Sequence, residues 1–214
     1  MPAAVTHFPD CFLCEAARDP ISPPNWYDAV LVNEAEVGLA VASVGQLVSG
    51  YLLVAPYVHV PSIAALSVAL VPRFSAFVER VRAEITARYA EPTIFEHGGC
   101  TSASVSSACV EHAHLHLVPG RYELSAPAGA VSTTYHNLTT FMQSQDRRAM
   151  PYLLWEGPDG KITVATDAQV SQHFRRQIAE QIGERDAWDY AASPFFSRLR
   201  DTIITFRRPI TARP

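Results

Sequence analysis

The stretch His112-Ala113-His114-Leu115-His116-Leu117-Val118 places three histidines at alternate positions, with apolar residues between them. In a β-strand, successive side chains point to opposite faces. The spacing therefore predicts a strand with three imidazoles on one face, and with Ala113, Leu115 and Leu117 packed behind them. Because the 214 residues include only eight histidines, this cluster favours an active-site face. The alternative is the solvated face of an amphipathic strand.

Composition and charge restrict the class of protein. Hydrophobic residues make up 48% and charged residues 18%, a balance typical of a globular chain. The formal net charge of -4 argues against broad nucleic-acid binding, which needs a basic surface. The sequence shows no apolar run long enough to cross a bilayer and no signal peptide, which predicts a cytoplasmic protein without a membrane partner. Four cysteines then suggest metal ligands or buried thiols rather than disulfides.

The first half of the chain has an α+β pattern. Residues 37–42 and 51–55 suggest an antiparallel hairpin, and residues 93–96 suggest a further strand before the histidines. Between them lies a helical pattern with an apolar face made by Phe74, Phe77, Val78, Val81, Ile85 and Tyr89. Because short hairpins join the strands, we expect one antiparallel sheet covered by this helix.

The second half contains two more recognisable patterns. Residues 151–155 and 161–165 flank a turn at 157–160 and suggest a hairpin, and residues 171–182 suggest a helix closed by Gly183. We therefore expect a catalytic domain over residues 1–125, which includes the N-terminal metal-binding segment. A helical C-terminal extension over residues 126–214 would pack on it.

The histidine run resembles the signature of the histidine triad (HIT) superfamily, which includes nucleotide hydrolases, nucleotidyl transferases and phosphorylases. The resemblance covers roughly residues 10–121. It implies a five-stranded antiparallel sheet with a packed helix, a small-molecule substrate that is a nucleotide, and a homodimer.

A metal site is suggested by Cys11-Phe12-Leu13-Cys14, whose two thiols are close enough to bind one ion. On its own, this motif is equally compatible with a redox pair. The sequence resembles the zinc-carrying branch of the superfamily, which implies a Zn²⁺ ligand set of Cys11, Cys14, His59 and His112. Four protein ligands leave no open position on the ion, so its role would be structural. For His59 the alternative is a surface histidine at the end of a strand.

The resemblance also implies roles for the other two histidines. His114 would attack the α-phosphorus of a nucleotide and form a phosphoramidate intermediate, and His116 would contact the phosphate or the leaving group. Stabilising donors are expected among Ser106, Ser107 and Cys109, the last of which takes the place of a family serine. A small buried residue is the alternative for Cys109.

Several positions depart from the family pattern. Ala42 and Ser43 stand where many members have an acidic residue for the ribose hydroxyls. Glu96 and His97 are predicted to lie at the substrate, either as an acid–base pair or as hydrogen-bonding supports of the histidine strand.

Arginines could supply further substrate contacts, since their guanidinium groups suit phosphate or carboxylate. Arg121 follows the histidine run closely and is a predicted substrate contact. Arg175 and Arg176 lie in the predicted C-terminal helix. For these two, a solvated helix face is the favoured interpretation.

Three functional hypotheses follow. The first is a nucleotide hydrolase or nucleotidyl transferase that acts at an α-phosphate through His114. The second is a divergent enzyme of a biosynthetic pathway, which uses histidine and glutamate acid–base chemistry on a substrate that is not a nucleotide. The third is a binding or scaffold protein, and the intact histidine run argues against it.

Overall fold

One antiparallel sheet organises the computed structural model, which describes residue 8 and residues 10–99, 110–145, 150–166 and 170–210. Within these residues the strands are β1 (Val30–Glu34), β2 (Gly38–Ala42), β3 (Leu52–Pro56), β4 (Pro92–Gly98), β5 (Leu115–Pro119), β6 (Val131–Tyr135), β7 (Tyr152–Glu156) and β8 (Ile162–Thr166). Their order across the sheet is β1-β2-β3-β5-β4-β7-β8-β6. The α-helices are α1 (Phe12–Arg18), α2 (Val71–Arg88), α3 (Leu138–Ser144), α4 (His173–Gln181) and α5 (Phe196–Arg207).

The predicted hairpin and the first long helix are confirmed. β2 and β3 pair from Gly38 opposite Pro56 to Ala42 opposite Leu52, and every residue of both strands is buried. Helix α2 buries an apolar stripe against the sheet. Strands that are buried on both faces must be covered by two layers, which explains their continuous apolar sequence.

The sheet has eight strands in the described part of the chain, so the expected number of five is wrong. β4 pairs with β7 from Phe95 opposite Trp155 to Gly98 opposite Tyr152, and β8 then joins β7 to β6. The sequence predicted the hairpin of β7 and β8 but not β6, the strand that pairs with β8. By pairing with β4, the hairpin covers backbone groups that would otherwise form an exposed edge.

The histidine strand is shorter than predicted. β5 begins at Leu115, so His116 lies in the strand while His112 and His114 precede it. The backbone amide of Ala113 donates to the Val60 carbonyl oxygen at 2.7 Å, a group outside the sheet. The run therefore joins the sheet only after its first two histidines. The apolar residues between the histidines pack in the core as expected.

Two apolar layers cover the sheet. Helices α2, α3 and α5 contribute to one core cluster, and α1 and α4 contribute to the other. In the second layer, Leu13 of α1 and Phe174 of α4 are fully buried. Helix α4 and its closing Gly183, which has a φ of 77°, confirm the helix predicted near residues 171–182. None of the helices in the described ranges is long and apolar enough to cross a bilayer.

Candidate metal centre and active site

Four side chains from three parts of the chain converge on one point. Cys11 and Cys14 lie at the start of α1, His59 follows β3, and His112 precedes β5. Their ligand atoms all lie within 4.8 Å of one another. The Cys14 sulfur is 3.2 Å from His59 Nδ1 and 3.5 Å from His112 Nδ1, and the Cys11 sulfur is 3.4 Å from His112 Nδ1.

This geometry fits a single metal ion. Tetrahedral zinc with ordinary bond lengths separates a sulfur ligand from a nitrogen ligand by about 3.6 Å. His112 Nε2 lies 2.8 Å from the Pro56 carbonyl oxygen, so Nε2 carries the proton and Nδ1 offers its lone pair to the ion. Burial lowers the pKa of His112 to about 4, which keeps the imidazole neutral. The cluster therefore has both the distances and the tautomer that a metal ligand set requires.

A cavity of about 370 Å³ opens beside this cluster. Residues from both ends of the chain contribute to its wall, together with His114 and His116. The lining residues are Phe12, Asn25, Tyr27, Asp28, Ala42, Ser43, Val44, Leu53, His97, Val110, His114, His116, Ser171, Gln172, Arg175 and Tyr190. The wall thus combines apolar and aromatic side chains with a comparable number of polar and charged ones.

His114 is part of the cavity wall. Its Nδ1 is 2.8 Å from the carbonyl oxygen of His112, so Nδ1 carries the proton and donates. The lone pair is then on Nε2. Burial lowers the pKa of His114, so the ring is neutral near pH 7. Neutral imidazole with a free Nε2 has the form that a nucleophile or a general base requires.

His116 is held from two sides. Its ring stacks on Phe95, with centroids 4.4 Å apart and an interplanar angle of 8°. The two residues are direct partners across β4 and β5. On the other side, His116 Nδ1 is hydrogen-bonded to the hydroxyl of Tyr51. Burial holds the pKa of His116 well below its usual value, and the ring is neutral.

Glu96 and His97 lie on opposite faces of β4, as neighbours in a strand must. His97 lines the cavity and stacks on Phe174 at 5.3 Å, and burial lowers its pKa to about 3. Glu96 is 1% exposed and lies outside the cavity lining. Its carboxyl accepts from the Ile63 amide at 2.9 Å and from the Tyr152 hydroxyl.

The arginines occupy three different environments. Arg175 lines the cavity and is only 3% exposed, so the solvated helix face that its sequence context favours is wrong for this residue. Arg176 is exposed and its guanidinium lies over the Trp188 ring. Arg121 is also exposed, lies outside the cavity lining, and forms an ion pair with Glu91 at 3.5 Å.

Asp28 is a cavity residue that the sequence did not reveal. It is 6% exposed, and Asn25 Nδ2 donates to its carboxylate at 2.8 Å. Burial raises the pKa of Asp28. Ala42 and Ser43 line the same cavity. The cavity therefore has an acidic group, but Asp28 supplies it and not positions 42 and 43. The segment before β1 carries no motif that would have identified it.

Three of the expected substrate contacts, Ser106, Ser107 and Cys109, lie outside the described residues. Val110, which follows them directly, is part of the cavity wall.

This chain is similar to a HIT family protein of known structure. That protein, from Bacillus anthracis str. 'Ames Ancestor', shares 25% sequence identity over 52% of this chain and 73% of its own, with a TM-score of 0.41. SMU.412c from Streptococcus mutans UA159 shares 20% identity over 59% of this chain and 80% of its own, with a TM-score of 0.42. No protein-family model and no curated protein matches the sequence. Each structural alignment leaves a large part of this chain unmatched.

Proposed function

We propose that the protein is a nucleotide hydrolase or nucleotidyl transferase in which His114 Nε2 attacks an α-phosphorus. The observation that carries this proposal is the bond from His114 Nδ1 to the His112 carbonyl oxygen at 2.8 Å. It leaves the Nε2 lone pair available in a cavity whose three histidines are neutral. A neutral imidazole is a competent nucleophile, and its phosphoramidate is reactive enough to be resolved.

The reaction takes place in two steps. In the first, a bond forms between Nε2 and phosphorus, and the bond to the leaving group breaks with its electron pair on that group, which takes up a proton from solvent. In the second, water or another acceptor attacks phosphorus and gives up its proton to solvent, the P–N bond breaks with its electron pair on Nε2, and His114 returns to its neutral form. Water as the acceptor gives hydrolysis, and any other acceptor gives transfer.

The charges in the cavity suit a nucleotide. Arg175 is the single permanent cation among the described lining residues, and it favours a phosphate in the cavity. Asp28, oriented by Asn25, is the proposed partner of the ribose hydroxyls. The apolar side chains of Phe12, Val44 and Leu53 would cover the base.

We propose that the Cys11, Cys14, His59 and His112 cluster holds zinc. With four protein ligands the ion would have no open coordination position, and it would tie helix α1 and the segment after β3 to the residues that precede His114. His112 would thus hold the metal with its ring and position His114 with its carbonyl oxygen.

We also propose a domain organisation, a location and an oligomeric state for the protein. We place the catalytic residues in a domain of residues 1–125 with an appended segment of residues 126–214, and we expect a cytoplasmic homodimer. Light scattering after size-exclusion chromatography measures the assembly state. A monomer at micromolar concentration would contradict the dimer.

The rival function, acid–base chemistry by Glu96 and His97 on a substrate that is not a nucleotide, has less support. The two side chains point to opposite faces of β4, and Glu96 is engaged by Ile63 and Tyr152. Only His97 of this pair lines the cavity.

Intact-protein mass after brief incubation with nucleotide donors tests the proposal. The panel contains nucleoside phosphoramidates, dinucleoside polyphosphates and nucleotide sugars. We expect a nucleotidyl adduct on the wild-type protein, none on His114→Gly, and an adduct on His136→Gly, which removes an exposed histidine. Turnover by His114→Gly at the wild-type rate would overturn the mechanism. The absence of both adduct and turnover with every donor would favour the rival function.

A further inference from the structure

Tyr51 is a buried residue that contacts two residues of the cavity wall, His116 and Arg175. It precedes β3, is fully buried, and its hydroxyl is hydrogen-bonded to His116 Nδ1. If the Tyr51 hydroxyl donates the proton of this bond, His116 can offer a donor nitrogen to a substrate; if Nδ1 donates it, His116 can offer an acceptor nitrogen. A neutral imidazole has one donor nitrogen and one acceptor nitrogen.

The acid–base character of the two partners limits the choice. A phenol is a stronger acid than the N–H of a neutral imidazole, and an imidazole nitrogen is a stronger base than a phenol oxygen, so the Tyr51 hydroxyl is the donor in this bond. The Arg175 guanidinium lies 5.6 Å from the centre of the Tyr51 ring. Burial raises the pKa of Tyr51, although the Arg175 charge opposes this rise. Tyr51 therefore keeps the proton that it donates.

His116 Nδ1 is the acceptor of that proton. The Ser43 hydroxyl donates to the Val44 carbonyl oxygen at 3.0 Å. The Tyr51 proton therefore belongs on the bond to Nδ1, and the proton of the His116 ring belongs on Nε2.

Arg175 is itself held firmly. Its Nε donates to the Trp188 carbonyl oxygen and its Nη2 to the Gly45 carbonyl oxygen, at 2.8 and 2.9 Å. The guanidinium thus connects helix α4 and the segment after it to the loop between β2 and β3. From this fixed position the guanidinium packs against the Tyr51 ring.

We propose that Tyr51, packed against Arg175, is a positioning residue that fixes His116 as the Nε2–H tautomer, so that His116 presents a hydrogen-bond donor to the phosphoryl group. His114 has the opposite tautomer, with its proton on Nδ1 and its lone pair on Nε2. Two histidines in one run thereby acquire different tasks, one as nucleophile and one as donor. The tautomer itself follows from the contacts alone, whereas its part in catalysis rests on the proposed function.

The tautomers can be read without any substrate. Histidine labelled with ¹⁵N distinguishes protonated from bare ring nitrogens in long-range proton–nitrogen correlation spectra, and the His116→Gln spectrum assigns the ring. We expect Nε2–H with a bare Nδ1 for His116 in the wild-type protein. In Tyr51→Phe we expect this preference to be lost. Nδ1–H on His116 of the wild-type protein would overturn the proposal, and so would an unchanged His116 pattern in Tyr51→Phe.

Kinetics provide the second readout, with adenosine 5′-phosphoramidate as the substrate. A misplaced preorganised donor weakens charge stabilisation in the transition state, so Tyr51→Phe should lower kcat by about tenfold with little change in KM. Tyr57→Phe is the matched control, because it removes a hydroxyl that bonds to Asn33 outside the cavity lining. An unchanged kcat in folded Tyr51→Phe would refute the catalytic role. If the wild-type protein forms no adduct and shows no turnover, the proposed function fails, and the spectra still decide the tautomer.

Discussion

The Arg175 guanidinium donates from Nη2 to the carbonyl oxygen of Gly45 at 2.9 Å. These residues are 130 positions apart in sequence, and their contact brings helix α4 to the loop between the second and third strands. Since Arg175 lines the cavity, the C-terminal part of the chain contributes directly to the candidate active site. The geometry of this loop therefore bears on both folding and catalysis.

Gly45 is expected to resist substitution for two reasons. Its φ of 75° favours glycine, and an added Cβ would lie 2.4 Å from Tyr190 Cβ and 2.7 Å from Arg175 Nη2. Gly129 has a φ of 84° with nothing within 4 Å, so Gly129→Ala measures the backbone strain alone. We expect Gly129→Ala to lower the free energy of unfolding by about 1 kcal/mol. Gly45→Ala should lower it by about 2 kcal/mol more. Equal losses in urea unfolding would contradict the contact.

The metal cluster predicts coupled loss of ion and stability. Cys14→Ser removes a sulfur that lies close to both His59 and His112, so with the proposed zinc site the variant should lose bound zinc and unfold at a lower temperature. Cys100→Ser is the thiol control and should retain both. Metal content by mass spectrometry and thermal unfolding measure the two effects. Full zinc occupancy in Cys14→Ser would exclude Cys14 as a ligand.

Glu96 should give a distinctive pH dependence of stability. Burial raises its pKa from 4.5 to about 7. Between these values the unfolded chain loses the proton and the folded chain keeps it, so rising pH lowers the free energy of unfolding. The total loss is about 3 kcal/mol, and it is complete above pH 7. Glu96→Gln removes this loss and should gain stability relative to the wild-type protein as the pH rises.

The difference between variant and wild type is the informative quantity in that experiment. Burial lowers the pKa values of His97 and His116, and these groups make stability fall as the pH drops below about 6.5. Their slope has the opposite sign and cancels in the difference. Glu123→Gln, at an exposed position, is the control. A difference that does not change between pH 4.5 and 7 would refute the raised pKa.

Local patterns predicted local structure well. Alternation and helical spacing identified the β2–β3 hairpin, helix α2 and the later hairpin, because each pattern reflects neighbours in sequence. The pairing of β4 with β7 depends on residues about sixty positions apart, and no local pattern encodes it. The alternation predicts too long a strand through the histidines, because it does not show where hydrogen bonding to a neighbouring strand begins.

The sequence predicts some residues of the site and misses others, because contacts between distant residues leave no local pattern. The resemblance suggested the four clustered side chains of the metal centre, and the structure brings their ligand atoms together. Arg175 looked like part of a solvated helix face because its burial comes from Gly45, Trp188 and Tyr51, which are remote in sequence. Tyr51 and Asp28 carry no motif at all, and only the fold shows that they face the cavity or its histidines.

Asp28 predicts how the protein reads the sugar of its proposed substrate. If its carboxylate accepts from a ribose hydroxyl, Asp28→Asn should raise KM for adenosine 5′-phosphoramidate by about tenfold, since a hydrogen bond to a charged group contributes about 1.5–3 kcal/mol. The kcat should change little, because the contact is remote from phosphorus. Asp201→Asn changes an exposed carboxylate and serves as the control.

A 2′-deoxy substrate completes this test. The wild-type protein should bind the deoxy compound about as weakly as Asp28→Asn binds the ribose compound, and the variant should not distinguish the two. Because burial raises the pKa of Asp28, the wild-type preference for ribose should also decline at low pH, where the carboxyl becomes protonated. Equal discrimination between the two sugars by wild type and Asp28→Asn would show that another group recognises the ribose.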